Sequence, residues 1–161
     1  MIQKVVTGGQ TGAEQAAWAA ARRAGIETGG YMRRGFVTED GPAPRVGALH
    51  KAIEFPFDDA RRIRANLRRA DALLWFGNPD WPEARDAFAA CGELAKPFLT
   101  IHLGLTPPAE VVTWLTVFAT ETLVVAGASA SQAPGMGPKV EAFLKQVFAA
   151  LQRPTTGYRT P

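Results

Sequence analysis

The sequence has one cysteine, Cys91, in 161 residues. No disulfide can form within the chain, and no cysteine-rich metal centre can be built. His50 and His102 are far apart and lack ligand spacing, so no metal site is expected. Long hydrophobic runs are missing too. The stretch Ala72-Leu73-Leu74-Trp75-Phe76 is among the longest and is far too short to cross a bilayer, so no membrane partner is expected. The opening residues, Met1-Ile2-Gln3-Lys4-Val5-Val6, lack the layout of a signal peptide and read as a strand, which makes a cytoplasmic location the default expectation. Excess charge is small. A net charge of +3 is weak support for a polyanion partner, so nucleic acid is not expected.

What is present suits one globular domain over residues 1–152 with a mobile tail over 153–161. Apolar residues make up 47% and charged residues 20%, close to the average soluble protein, which argues against a disordered body. Strand and helix patterns alternate, so the expected fold class is a Rossmann-like three-layer α/β/α domain with a mainly parallel sheet. The strands are read at Ile2–Val6, Ile26–Met32, Ala72–Phe76, Pro97–His102 and Glu121–Val125. Five strands in the order 2-1-3-4-5 are expected. Helices are read at Gly12–Ala24, Ala60–Ala70, Trp81–Leu94, Pro107–Phe118 and Pro138–Leu151. Between Arg33 and Phe57 no periodicity emerges, and a loop of that length inside a compact domain is often functional.

The informative segment is Val5-Val6-Thr7-Gly8-Gly9-Gln10-Thr11-Gly12-Ala13-Glu14. Here a strand feeds a glycine turn and the turn feeds a helix, the place where doubly wound folds hold ligands. Glycines let the backbone approach an oxygen closely, and the free amides of the following helix point at it. Gly8, Gly9, Gln10, Thr11 and Gly12 are therefore the primary candidates for holding a phosphate. No Gly-Lys-Ser/Thr follows, and the spacing is not that of the dinucleotide fingerprint.

Gly8-Gly9-Gln10-Thr11-Gly12-Ala13 followed by Glu39-Asp40-Gly41 resembles the family of proposed molybdenum cofactor carriers, which is related to the LOG phosphoribohydrolases. Arg62 to Asn66 before Asp71, Lys96-Pro97, and Val125-Ala126-Gly127 through Ser131 also resemble it, so the likeness covers most of residues 1–150. Two segments depart from that pattern. Gly77-Asn78-Pro79-Asp80 stands where relatives carry a glycine- and threonine-rich turn, and Ala128-Ser129-Ala130 where they carry an arginine. The resemblance implies a binding protein for a phosphorylated ring-containing ligand, either a molybdopterin-type cofactor or a nucleotide. It adds Asp40, Gly41, Arg62, Asn66, Gly77, Gly127 and Ser131 to the ligand-binding candidates.

The alternative is a nucleotide sensor or an enzyme cleaving a nucleoside monophosphate at its glycosidic bond, which needs a positioned carboxylic acid. Glu83, Glu39 and Asp40 are the reserve candidates for that acid. Cys91 reads as a core thiol, and Trp18, Trp75 and Trp114 as core or oligomer contacts, with Trp81 a possible wall for a ring. The apolar surplus on the helix after Pro107, at Trp114, Leu115, Val117 and Phe118, leads to an expected homo-oligomer, a dimer in the simplest case.

Overall fold

The computed structural model of the chain describes residues 1–153, so the expected tail lies outside the described residues apart from Arg153. In chain order the elements are β1 (Lys4–Val6), α1 (Ala13–Arg23), β2 (Glu27–Arg33), a 3-10 turn (Arg34–Phe36), β3 (Val37–Thr38), β4 (Gly41–Pro42), α2 (Pro44–Leu49) and β5 (Ala52–Phe55). Then come α3 (Asp59–Arg68), β6 (Ala72–Phe76), α4 (Pro82–Leu94), β7 (Phe98–Ile101), α5 (Pro108–Val117), β8 (Thr122–Gly127) and α6 (Met136–Leu151).

Period-two side-chain alternation divides the core. Val5, Leu74, Phe76, Leu123 and Val125 point to one face, where they pack with α1, α5 and α6. Val6, Leu73 and Val124 point to the other, against Leu67 of α3 and Ala87, Ala90 and Cys91 of α4. Alanines at 13, 16, 17, 20 and 21 let α1 lie close on the sheet, and Gly25 at φ 72° turns the chain out of it. On α3, the Asp58 side chain caps the first turn by accepting from the Arg61 amide at 2.9 Å. The result is the three-layer α/β/α architecture.

Two expectations need correction. The sheet has six strands, all parallel, in the order β5-β2-β1-β8-β6-β7. The last strand therefore does not sit at an edge, as the order 2-1-3-4-5 requires, but between β1 and β6. The region 33–57 is not a structureless loop either. It holds the 3-10 turn, an antiparallel hairpin of β3 and β4, the short helix α2 and the edge strand β5. Crossovers toward β5 carry α1 and α5 on one face, and crossovers toward β7 carry α3 and α4 on the other, as right-handed connections require.

The central pair β6–β8 is held close by Gly127. A Cβ there would collide with the main-chain oxygen and carbon of Phe76, neither of which can rotate away. Gly127→Ala should cost about 2–3 kcal/mol, seen as a melting temperature lower by roughly 4–12 °C. Gly92, by contrast, lies exposed in α4 with nothing near its missing Cβ. Gly92→Ala should stabilise by about 0.5–1 kcal/mol. Equal thermal shifts in the two variants would contradict the packing described.

Candidate functional site

At the carboxyl ends of β1 and β8, on the α3–α4 face, lies a cleft of about 370 Å³. It is walled by the glycine turn, α3, the first turns of α4 and the loop after β8. Two loops must meet to form it, and Gly12 (φ 78°) permits this. Any Cβ there would strike the backbone of residues 128–130. Ala13 donates its amide to the Ala128 carbonyl at 3.0 Å, and Ala130 donates to Thr11 Oγ1 at 3.1 Å. Gly9 (φ 75°) is likewise spent on shape, because its missing side chain makes room for Met32.

Three amides of the turn are occupied from within the chain. Gly8 donates to the Glu14 carboxylate at 2.7 Å, Gly9 to Thr7 Oγ1 at 3.0 Å and Thr11 to Gln10 Oε1 at 3.0 Å. Arg62 approaches Gly8 and Glu14 from α3, filling the space that a Gly8 side chain would take. Its guanidinium is also held by Asp59, with both Nε and Nη2 at 3.3 Å from Oδ1, and Arg33 clasps the same carboxylate at 2.9 and 2.6 Å. Burial pushes the Glu14 carboxyl above its ordinary value, against the opposing pull of Arg62 and the Gly8 amide. Asp59 is held below the ordinary value, first by its hydrogen bonds from Arg33.

A second carboxylate lies across the loops. Glu39, at the tip of the β3–β4 hairpin, accepts from Thr11 Oγ1 at 2.5 Å and from the Ser131 amide at 3.0 Å, and its other oxygen from Ser131 Oγ. Its own amide donates to Gln10 Oε1 at 2.9 Å. The hairpin is thus a strap pinned to both loops of the cleft. These donors hold the Glu39 carboxyl at about 2, with Ser131 the larger cause and Thr11 the next.

Of the residues singled out in the sequence, Gly8, Gln10, Arg62, Asn66, Gly127, Ser131, Glu39 and Glu83 line the cleft. Gly9, Thr11, Gly12, Asp40, Gly41 and Gly77 do not. Thr11 bridges the two loops, Asp40 sits exposed in the hairpin turn, and Gly41 and Gly77 supply backbone bends at φ 99° and 145°. Asn66 spends its amide on a bracket: Oδ1 accepts from the Tyr31 amide at 2.8 Å and Nδ2 donates to the Tyr31 carbonyl at 3.3 Å. Sequence reasoning missed Glu14, Arg33, Asp59, Asp86, Ser129, Gln132 and Trp75. Trp75, not Trp81, forms part of the wall, and its indole N–H is buried without an acceptor among the described residues. Five carboxylates and two guanidinium groups line the whole. Cys91 is a buried thiol pushed up to about 11 by burial, which suits a core residue.

The Glu39 contacts fix a pH dependence. A carboxylate held low contributes its contacts above its ordinary value of 4.5, and they are lost as the pH falls through about 2. A carbon-detected NMR titration of Glu39 should give a midpoint near 2, rising toward 4.5 in Ser131→Ala. A midpoint already near 4.5 in the unaltered protein would mean that the strap is open in solution.

The family model of the circularly permutated YpsA SLOG family matches residues 5–148. No curated protein sequence matches the chain significantly. Among solved structures, one named "Putative molybdenum carrier protein", from Syntrophus aciditrophicus SB, is similar, with a TM-score of 0.80 and 26% identity. The match covers 91% of this chain and 94% of that one. With nearly its whole described length matched by the family model, and with its last strand set inside the sheet, the chain belongs to the circularly permutated YpsA SLOG family.

Proposed function

We propose that residues 1–152 act as one ligand-binding domain whose cleft captures a phosphorylated, ring-containing small molecule, with a molybdopterin-type cofactor as the named candidate and a nucleotide as the other. The observation that carries the reading is the Glu14 carboxylate. The Gly8 amide already holds an anion that belongs to the chain, and the Arg62 guanidinium lies beside Gly8, where its charge opposes the rise of the Glu14 pKa. A ligand phosphate would take the carboxylate's place. Trp75 supports the ring part, since it lines the cleft with a large aromatic side chain. A volume of about 370 Å³ is in the range of small-molecule sites. The structural neighbour's name supports the cofactor candidate.

Capture by this route requires Glu14 to give way. Its raised pKa means that it takes up a proton more readily than an ordinary glutamate, and protonation removes the competing charge. Anion binding should therefore strengthen as the pH falls toward that raised value. Calorimetry with nucleoside monophosphates and pterin phosphates is the test. Glu14→Gln should tighten binding on the order of tenfold at neutral pH and remove the Glu14 part of the pH dependence. Arg62→Gln should weaken it by a similar factor or more. Unchanged affinity in both variants would sink the assignment.

One observation favours the enzyme reading. Glu83 and Asp86, on the first turns of α4, line the same cleft as Arg62, so an acid is available near a bound phosphate. A carrier holds nucleoside monophosphates without releasing free base, and chromatography of incubated mixtures distinguishes the two. Turnover that vanishes in Glu83→Gln would replace capture with glycosidic cleavage. Self-association, a dimer in the simplest case, is supported by bare apolar surface at the end of α5, where Val117 is 73% and Phe118 48% exposed.

A further inference from the structure

A second pocket, of about 270 Å³, opens on the same sheet face nearer the strand starts, with α3 standing between it and the cleft. Its chemistry is the reverse of the cleft's. Lys4, Lys51 and Arg69 line it and no carboxylate does. Three cations gathered without an acid among the lining residues repel one another and favour an anion between them.

The cations are placed rather than scattered. Arg69 lies over the Tyr31 ring, with Cζ 5.2 Å from its centroid, which fixes a guanidinium beside an aromatic wall. Lys51 is held in the left-handed region at φ 56°, a conformation disfavoured for a non-glycine residue. Lys4 lies over Gly29, where a Cβ would come within 3.0 Å of its Cε, so a glycine leaves room for this stem. Its nearest acid, Glu27, is 4.0 Å away and more than half exposed, a weak competitor for the ammonium. Between the cations the surface is apolar: Ile53 is 57% exposed and the Tyr31 ring is half-buried.

We propose that this pocket is a separate binding site for a small organic anion with a flat apolar body, an aromatic carboxylate or an aryl phosphate. The charged group would sit among Lys4, Lys51 and Arg69, and the flat body against Tyr31 and Ile53. Its charged groups are distinct from those of the glycine-turn cleft, since none of its three cations lines that cleft, and Asn66 is the lining residue the two share.

The experiment titrates phenyl phosphate, benzoate and inorganic phosphate into the full chain and follows the backbone amide shifts of Tyr31, Lys51, Ile53 and Arg69. Saturable shifts at these amides are expected, with phenyl phosphate at least severalfold tighter than inorganic phosphate, which cannot use the apolar wall. Lys51→Asn removes the charge while suiting the left-handed backbone, and Arg69→Gln removes an exposed guanidinium. Each should weaken phenyl phosphate on the order of tenfold. Benzoate binding as tightly as phenyl phosphate assigns a carboxylate ligand, and weaker benzoate binding assigns a phosphate. Absence of saturable shifts at these amides, or the same affinity in both variants, overturns the site. Inorganic phosphate binding as tightly as phenyl phosphate overturns the flat body.

Discussion

Everything at the site depends on main chain meeting main chain where Gly12 passes residues 128–130. β1 ends at Val6 opposite Val124, while β8 runs on to Gly127, so the chain leaving β8 starts alongside the glycine turn that follows β1. Whether they touch is decided by one missing Cβ. With it missing, the Ala13 amide reaches the Ala128 carbonyl, and the Thr11 hydroxyl receives the Ala130 amide while donating to Glu39. One close approach therefore joins turn, last loop and strap. A methyl group at position 12 would separate all three, and the φ of 78° would disfavour it independently.

The second constraint is electrostatic. Backbone amides at the start of a helix are costly to leave without an acceptor. Here Glu14, one residue into α1, folds back to serve Gly8, and Glu39 serves Ser131 from a distant hairpin. With Gly8 and Ser131 served in this way the two loops hold their shape with no ligand bound, but an anion arriving at Gly8 would compete with a carboxylate already in place. Arg33, Asp59 and Arg62 form a chain of alternating charge that keeps one guanidinium near Gly8 despite the surrounding acids. In the proposed capture, selectivity would follow from displacement: a ligand would have to offer more than one carboxylate does, which would favour a phosphate with its extra charge and acceptors.

How much of this could be read in the sequence varies with the range of the interaction. The glycine turn, the alternation of strand and helix, and the Arg62–Asn66 spacing are local patterns, and each leads to the cleft wall. Local patterns do not report which strands pair. Nothing in Thr122–Gly127 distinguishes a central strand from an edge strand, since parallel strands buried on both faces look alike. β5, only Ala52–Phe55 and exposed at Ile53, lacks the apolar run that marks a strand. Nothing local marks Glu14 as part of the cleft, because its bond to Gly8 depends on the turn folding back. Trp75 looked like core because alternation places it on a buried face, and only the position of α3 and α4 leaves that part of the face open.

The strand order also explains why the resemblance held while the expected topology did not. β8 and β1 are adjacent and parallel, and α6 lies against α1 on the face a right-handed crossover from β8 to β1 would use. Gln152, after α6, donates to the Ala24 carbonyl at 2.7 Å, at the end of α1. Read as β8–α6–β1–α1–β2, the three strands form two consecutive units of neighbouring parallel strands, the ordinary pattern of a doubly wound sheet. The loop after β8 would then precede the glycine turn by one unit, as paired ligand loops do in such sheets. Moving the chain's start leaves every hydrogen bond of the site in place, because those bonds depend on which strand ends are neighbours and not on the order in which the chain reaches them. A motif read along the sequence can therefore find both loops that meet at the cleft while assigning the wrong place to the strand that delivers the second.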